Sequence, residues 1–321
     1  MIKDKVIHQI TLPTPFAVGD VHVYILKGEA LTLIDAGVNT DEAWNALKTG
    51  LRQIGYHPRD IEQIILTHHH PDHTGLVGAC SRVQSIAAHE TVNLWLTRDE
   101  VFFRHYERFF YELFEQCAIP ETYHHVLKAL RAPLKFAGEG QVTTVLQEGD
   151  ALPGHPEWNV IETKGHAQSH LSFWRESDKT LIGGDHLLYH ISPNPLIEPG
   201  RHEGDRRPKP MLQYRESLNK CFHLGIEKVL PGHGPCFSDV NSLIRQRLKK
   251  QEERADKVWR LLHERPQSPF DLCRAIFPHQ YENQLNLTMS ETIGQLDYLE
   301  AKGLATSFKE DDRLVYKPIV K

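Results

Sequence analysis

The sequence predicts a layered α/β domain followed by a small helical module. Three observations predict it. Short β-branched runs alternate with a helical stretch between Val21 and His89, strand-like segments return from Gln141 onward, and the composition turns helical and charged beyond Ser238. In order, Val21–Gly28 and Ala30–Gly37 are apolar runs meeting at a Gly-Glu turn, a hairpin signal. Asn39, with Glu42 three residues on, resembles a capping box that opens a helix over Asp41–Ile54. Ile61–Leu66 is an apolar strand ending at a histidine run; a short helix over Leu76–Ser81 and a strand over Val83–His89 follow.

Between Glu90 and Arg131 the pattern is helical, with Phe102, Phe103, Tyr106, Phe109, Phe110, Leu113 and Phe114 at three- and four-residue spacing. Further strands are predicted at Gln141–Leu146, Trp158–Thr163, His170–Glu176 and Thr180–Asp185. They are followed by a proline-rich loop (Ser192–Pro210), a helix near Met211–Leu224 and an apolar segment ending in Pro231-Gly232-His233. Residues 1–238 form the expected first domain, with a helical insert at about 90–135. Residues 239–321 form the second, and their order of three helices and a hairpin is that of a winged-helix module.

Hydrophobic residues at 40% and charged residues at 25% are the proportions of a globular chain, which excludes disordered and fibrous architectures. A net charge of −5 argues against a generally basic nucleic-acid binder. The five cysteines are scattered and never form CxxC, so neither a disulfide framework nor a cysteine zinc ribbon is expected, and a reducing cytoplasm is. No apolar run is long enough to span a bilayer, and the first ten residues lack the apolar core of a secretion signal. Nucleophile-elbow, phosphate-loop and dinucleotide fingerprints are absent. Histidine is the anomaly.

The run Thr67–Gly75 places His68, His70, Asp72 and His73 directly after a buried strand, and Pro71 makes it a turn rather than a helix. Neutral imidazole and carboxylate suit divalent zinc, manganese or iron, and a turn lets side chains at this spacing converge. His69 is the competing neighbour, but strand-end alternation favours His68 and His70.

His-x-His-x-Asp-His after an apolar strand resembles the signature of the metallo-β-lactamase superfamily, whose fold is an αββα sandwich. Later elements extend the resemblance: Gly165-His166, Asp185 and His233 each follow a predicted strand, in the family's order. The resemblance implies two divalent metal ions, zinc first, with iron or manganese as alternatives. One would be held by His68, His70 and His166, the other by Asp72, His73 and His233, with Asp185 bridging. It also implies catalysis by water acidified on the metals, with Asp72 orienting it and passing a proton to the leaving group. His170 and His186 adjoin ligand positions; His170 is read as a supporting residue. Lys164 stands where many relatives carry proline, a departure that leaves His166 in place.

Antibiotic-cleaving members commonly carry cysteine where this chain has Asp185, and the flavodiiron branch carries glutamate where it has His70. The resemblance therefore implies a hydrolase of an ester, thioester or lactone, with a nuclease or phosphodiesterase acting on single-stranded RNA as the alternative. The nucleases with a large cap domain are excluded by the short Asp185–His233 interval. The C-terminal module resembles the winged helix of a hydroxyacylglutathione-hydrolase-like subgroup. Its third helix, Leu285–Gly303, carries a net charge of −2, so it is expected to repel phosphate, to pack or dimerise, and not to bind DNA.

The remaining expectations concern the mouth of the site. The aromatic helix Val101–Phe114 is expected to border it and suit an acyl substrate. Tyr189 and His190, in the loop after Asp185, are candidate substrate contacts. The expected partners are a small acyl substrate and, at most, a second copy of the chain, with no nucleic acid and no membrane.

Overall fold

The computed structural model of the protein describes residues 7–319. Two sheets face each other. The first contains β1 (Ile7–Leu12), β2 (Val21–Lys27), β3 (Leu31–Ile34), β4 (Gln63–Ile65), β5 (Ser85–Ala88) and β6 (Thr144–Val145), in that spatial order. β2 and β3 run antiparallel, as the hairpin signal predicted, β1 adds antiparallel to β2, and β3 to β6 run parallel. The second has the order β11-β10-β9-β8-β7, from β7 (Ala151–Leu152), β8 (His155–Glu162), β9 (Leu171–Arg175), β10 (Thr180–Gly184) and β11 (Lys228–Pro231).

Strand periodicity sorts β2 between two cores. Val21, Val23 and Ile25 pack toward helix α1 (Asp41–Gln53), while Tyr24 and Leu26 meet Trp158, Phe173 and Ile182 of the second sheet. Both faces are buried, so the strand is apolar throughout. The outer face of the second sheet is covered by α5 (Pro210–His223) and the start of α6 (Val240–Glu264). The layers are thus α, β, β, α.

Three local expectations are corrected. The cap of α1 is Thr40, whose hydroxyl accepts the Ala43 N–H at 3.2 Å, and not Asn39. Leu76–Ser81 is a chain of turns rather than a helix. Pro71 does not prevent helix; it opens the helical turn α2 (Pro71–Thr74), because the first helical position needs no donor. The insert folds as α3 (Val92–Leu96), α4 (Glu100–Gln116) and two 3₁₀ segments.

Beyond α6 lie α7 (Pro269–Ile276), α8 (Leu285–Ala301) and the hairpin β12 (Ala305–Glu310) and β13 (Arg313–Pro318). α6 serves two cores: Val240 and Ile244 pack on the second sheet, while Ala255, Val258 and Leu262 pack with Leu296 and Leu299 of α8. α8 also lies on α5, and a Cβ on Gly294 would crowd Met211 at 2.9 Å. Tyr298 receives the Arg215 guanidinium over its ring at 4.4 Å, joining α8 to α5.

The expected repulsive acidic surface on α8 is overturned. Glu291 and Asp297 are buried, and each is paired: Arg207 grips Asp297 through two bonds of 2.9 and 2.7 Å, and Arg254 meets Glu291 at 2.5 Å. A helix covered on most sides can keep carboxylates only with such partners. Leu304, just before β12, is among the exposed apolar residues. No helix among the described residues is long and apolar enough to cross a membrane, and the five cysteines are free.

Candidate metal centre

The parallel register of β3, β4 and β5, and of β10 with β11, gathers their C-terminal ends at one edge of the sandwich, where open α/β sheets collect ligands. His68 follows β4, and the α2 turn swings Asp72 and His73 back beside it. His166 lies in the turn after β8, Asp185 immediately after β10, and His233 two residues past β11. Three ligand-like groups result: His68 with His70 and His166; His68 with His73 and Asp185; Asp72 with His73 and His233. His68 Nε2 and His166 Nε2 lie 2.9 and 3.0 Å from His70 Nδ1. Asp185 is central, with Oδ1 3.4 Å from His73 and Oδ2 3.5 Å from both His166 and His233. Asp72 Oδ2 is 3.3 Å from His233 Nε2.

Hydrogen bonds on the outer ring nitrogens settle how these imidazoles point. Thr67 donates its hydroxyl proton to Asp35, so it accepts from His68 Nδ1–H at 3.0 Å. His166 Nδ1 donates to the Asn194 carbonyl at 3.1 Å, His233 Nδ1 to the Asp20 carbonyl at 2.7 Å, and His73 Nδ1 to Asp35 at 2.8 Å. In the neutral ring each Nε2 therefore presents its lone pair inward, the tautomer a metal requires. His73 Nε2, His233 Nε2 and Asp185 Oδ1 are buried without a hydrogen-bond partner among the described residues. Buried polar atoms are rarely left so, and a divalent cation would satisfy them together. The donor set fits the metal.

The electrostatics agree. Burial, then the surrounding imidazoles, holds His68 and His70 well below the usual histidine range. Burial also lowers His166. Burial opposes charge on His73 and His233 as well, yet carboxylates outweigh it and raise both, Asp185 foremost. Burial likewise opposes ionisation of Asp185, but His233 and His73 hold it well below the usual carboxylate range. A cation at this point would feel the same field.

His69 turns away, bonded through Nδ1 to Ser169 at 2.8 Å and stacked on Trp95 at 4.1 Å. His170 lies behind the cluster: its Nε2 accepts the Asp185 backbone N–H at 3.0 Å, and its Nδ1 donates to Thr163. His186 lies deeper, against the Tyr214 ring. Asp35 was missed in the sequence. It is a buried carboxylate that holds Thr67, in both backbone and side chain, and His73, at a positive φ of 58°. The one available signal was a charged residue at the end of the apolar strand Leu31–Ile34. Gly232 completes the frame, since a Cβ there would collide with Asp185 Oδ1.

A cavity of about 580 Å³ opens from His70, Asp72, His166 and Asp185. Tyr106 and Phe110 of α4 line it, so the aromatic helix does border the site. Tyr189 and His190 do not line it. Arg247 of α6 binds the carbonyls of Leu188 and Ile191, and the residues between are turned outward, with the Tyr189 ring 5.5 Å from Phe237. Leu188, Ile191 and Asn194 from the same loop line the cavity in their place.

The fold and this cluster define a metallo-β-lactamase-type hydrolase. The family model for the metallo-beta-lactamase superfamily matches residues 17–233, and the chain belongs to that superfamily. It is 40% identical, over 96% of both chains, to the probable metallo-hydrolase YqjP of Bacillus subtilis. It superposes on a metallo-beta-lactamase family protein of Thermus thermophilus with a TM-score of 0.80 and 25% identity, covering 98% of each chain. It is also 25% identical, over 74% of its length and 58% of the relative's, to the atrochrysone carboxyl ACP thioesterase of Aspergillus fumigatus.

Proposed function

We propose that the protein is a dinuclear hydrolase of a carboxylic ester, thioester or lactone, with zinc as its first-choice metal. The observation that carries this reading is the cavity lining: among the described residues, no lysine or arginine lines it. A groove for RNA needs cations to neutralise phosphates, whereas an uncharged acyl group needs apolar walls. The likeness to a fungal acyl-carrier-protein thioesterase supports the same chemistry.

His68, His70 and His166 would hold one cation; Asp72, His73 and His233 the other, with Asp185 between them. Two such cations supply an acidified water and electrophilic pull on a carbonyl oxygen. The chain's own residues do the rest. Asp72 borders the cavity and is placed to take a proton and return it to the leaving group. Asp35, Asp20 and Asn194 keep the imidazoles oriented.

The reading includes a catalytic domain over 1–238 and a winged-helix-like module over 239–321, with a cytoplasmic location. Its partners are a small acyl substrate and at most a second copy of the chain, with neither nucleic acid nor membrane. The test is a substrate screen on metal-loaded protein with thioesters, lactones and single-stranded RNA, beside elemental analysis. Thioester or lactone turnover with close to two metals per chain is expected. RNA cleavage without acyl turnover would overturn the proposal.

A further inference from the structure

We propose, resting on the hydrolase reading, that the part of the cavity walled by α4 and the C-terminal helix α8 is a chamber for a bulky apolar acyl group, and that Glu198 hydrogen-bonds one polar atom of that group. Three observations converge on it. The wall comes from both parts of the chain: Tyr106 and Phe110 from the insert, Leu287 and Ser290 from α8. The insert and α8 share one core, Phe110 and Phe114 with Leu285, Met289 and Ile293. The loop after β10 is tied to α8 beside them, where the Ile197 N–H donates to Ser290 Oγ at 3.2 Å and Arg207 grips Asp297. Without α8 the cavity has no wall on that side.

Second, large apolar side chains are left uncovered along it. Leu287 is 39% and Ile191 41% exposed, and both line the cavity. An apolar surface facing a cavity of this size is what a hydrophobic substrate covers.

Third, among the described residues Glu198 is the only lining carboxyl outside the ligand cluster. It is 9% exposed, and its Oε1 accepts the Gln168 backbone N–H at 2.9 Å. No second hydrogen bond to the carboxyl exists among the described residues. Burial pushes its acid up to about 7. A carboxyl kept in an apolar wall with one bond made has the capacity for another, and a hydroxyl on the substrate can answer it in either protonation state.

The test uses full-length, metal-loaded protein with N-acetylcysteamine thioesters of acetate, octanoate and hydroxyoctanoate isomers. Calorimetric binding of the corresponding free acids runs in parallel. Wild type should favour octanoyl over acetyl in kcat/KM by about tenfold or more. Leu287→Glu, at an exposed position, should collapse that ratio. Glu198→Leu should abolish any preference for a hydroxylated chain, and Glu198→Gln, which still hydrogen-bonds, should restore it. Turnover without chain-length preference overturns the chamber. Equal affinity of the wild type for octanoate and every hydroxyoctanoate overturns the role of Glu198. Selective acid binding with no turnover of the thioesters or of the matching esters and lactones supports the chamber and overturns the hydrolase reading instead.

Discussion

The ligand cluster and the cavity that leads from it are built by opposite means. The cluster is polar, buried and made at strand ends, with His68, His73, His166 and His233 each locked by a bond behind the ring. The cavity is apolar and made by helices and loops drawn from the insert, the segment after β10 and the C-terminal module. Reaction class depends on the first region, where a misplaced atom leaves a buried polar group unsatisfied. On the proposed function, substrate choice depends on the second, where a changed side chain only reshapes a wall. One family fold can therefore hold its chemistry while its walls vary.

The largest effect should come from the cluster. Asp72→Ala is expected to lower kcat by about 10²–10⁴-fold with the fold retained, read by steady-state kinetics beside circular dichroism. Wild-type turnover would show that Asp72 is not the proton-transfer group. The joint between the regions should yield the next largest effect. Arg207→Ala leaves Asp297 buried without its bidentate partner, at a cost of about 3 kcal/mol in a urea melt. An unchanged midpoint would mean that α8 is not anchored by that pair.

The third prediction uses pH. Glu198 titrates near 7 in the folded protein, above its unfolded value, so the folded state binds the extra proton between the two. Stability from this group is full at low pH, falls as pH rises toward 7, and is constant above. The total loss is about 3 kcal/mol. Glu198→Gln should flatten this slope in melts across that range, and a slope equal to wild type refutes the assignment. The smallest effect concerns the frame behind the ligands. Asp35→Asn should weaken metal binding about 10–100-fold in chelator competition, since it removes the anionic acceptor from His73. Undiminished affinity would remove Asp35 from the site.

Much of the cluster was legible because its residues sit at fixed offsets from strand ends, and strands announce themselves by apolar runs. His68, His70, Asp72, His73, His166, Asp185 and His233 all follow such runs, and the structure brings them together. The walls were less legible. Tyr189 and His190 share the ligand-proximal loop, yet Arg247, from a helix nearly sixty residues on, turns them outward. The charge reading of α8 failed for the same reason. Glu291 and Asp297 look like a solvated acidic face until their arginine partners, one in a distant loop, are in place.

By itself the sequence determined the order of the strands and helices, the family, and the residue types that converge at the strand ends, because those depend on local periodicity and short spacing. Only the tertiary structure decided that Asp35 orients His73, that α6 belongs to two cores, and that the C-terminal helix walls the cavity beside the cluster. These are contacts between segments far apart in the chain. Burial and pairing at such contacts are set by packing across the whole fold, which no local pattern encodes.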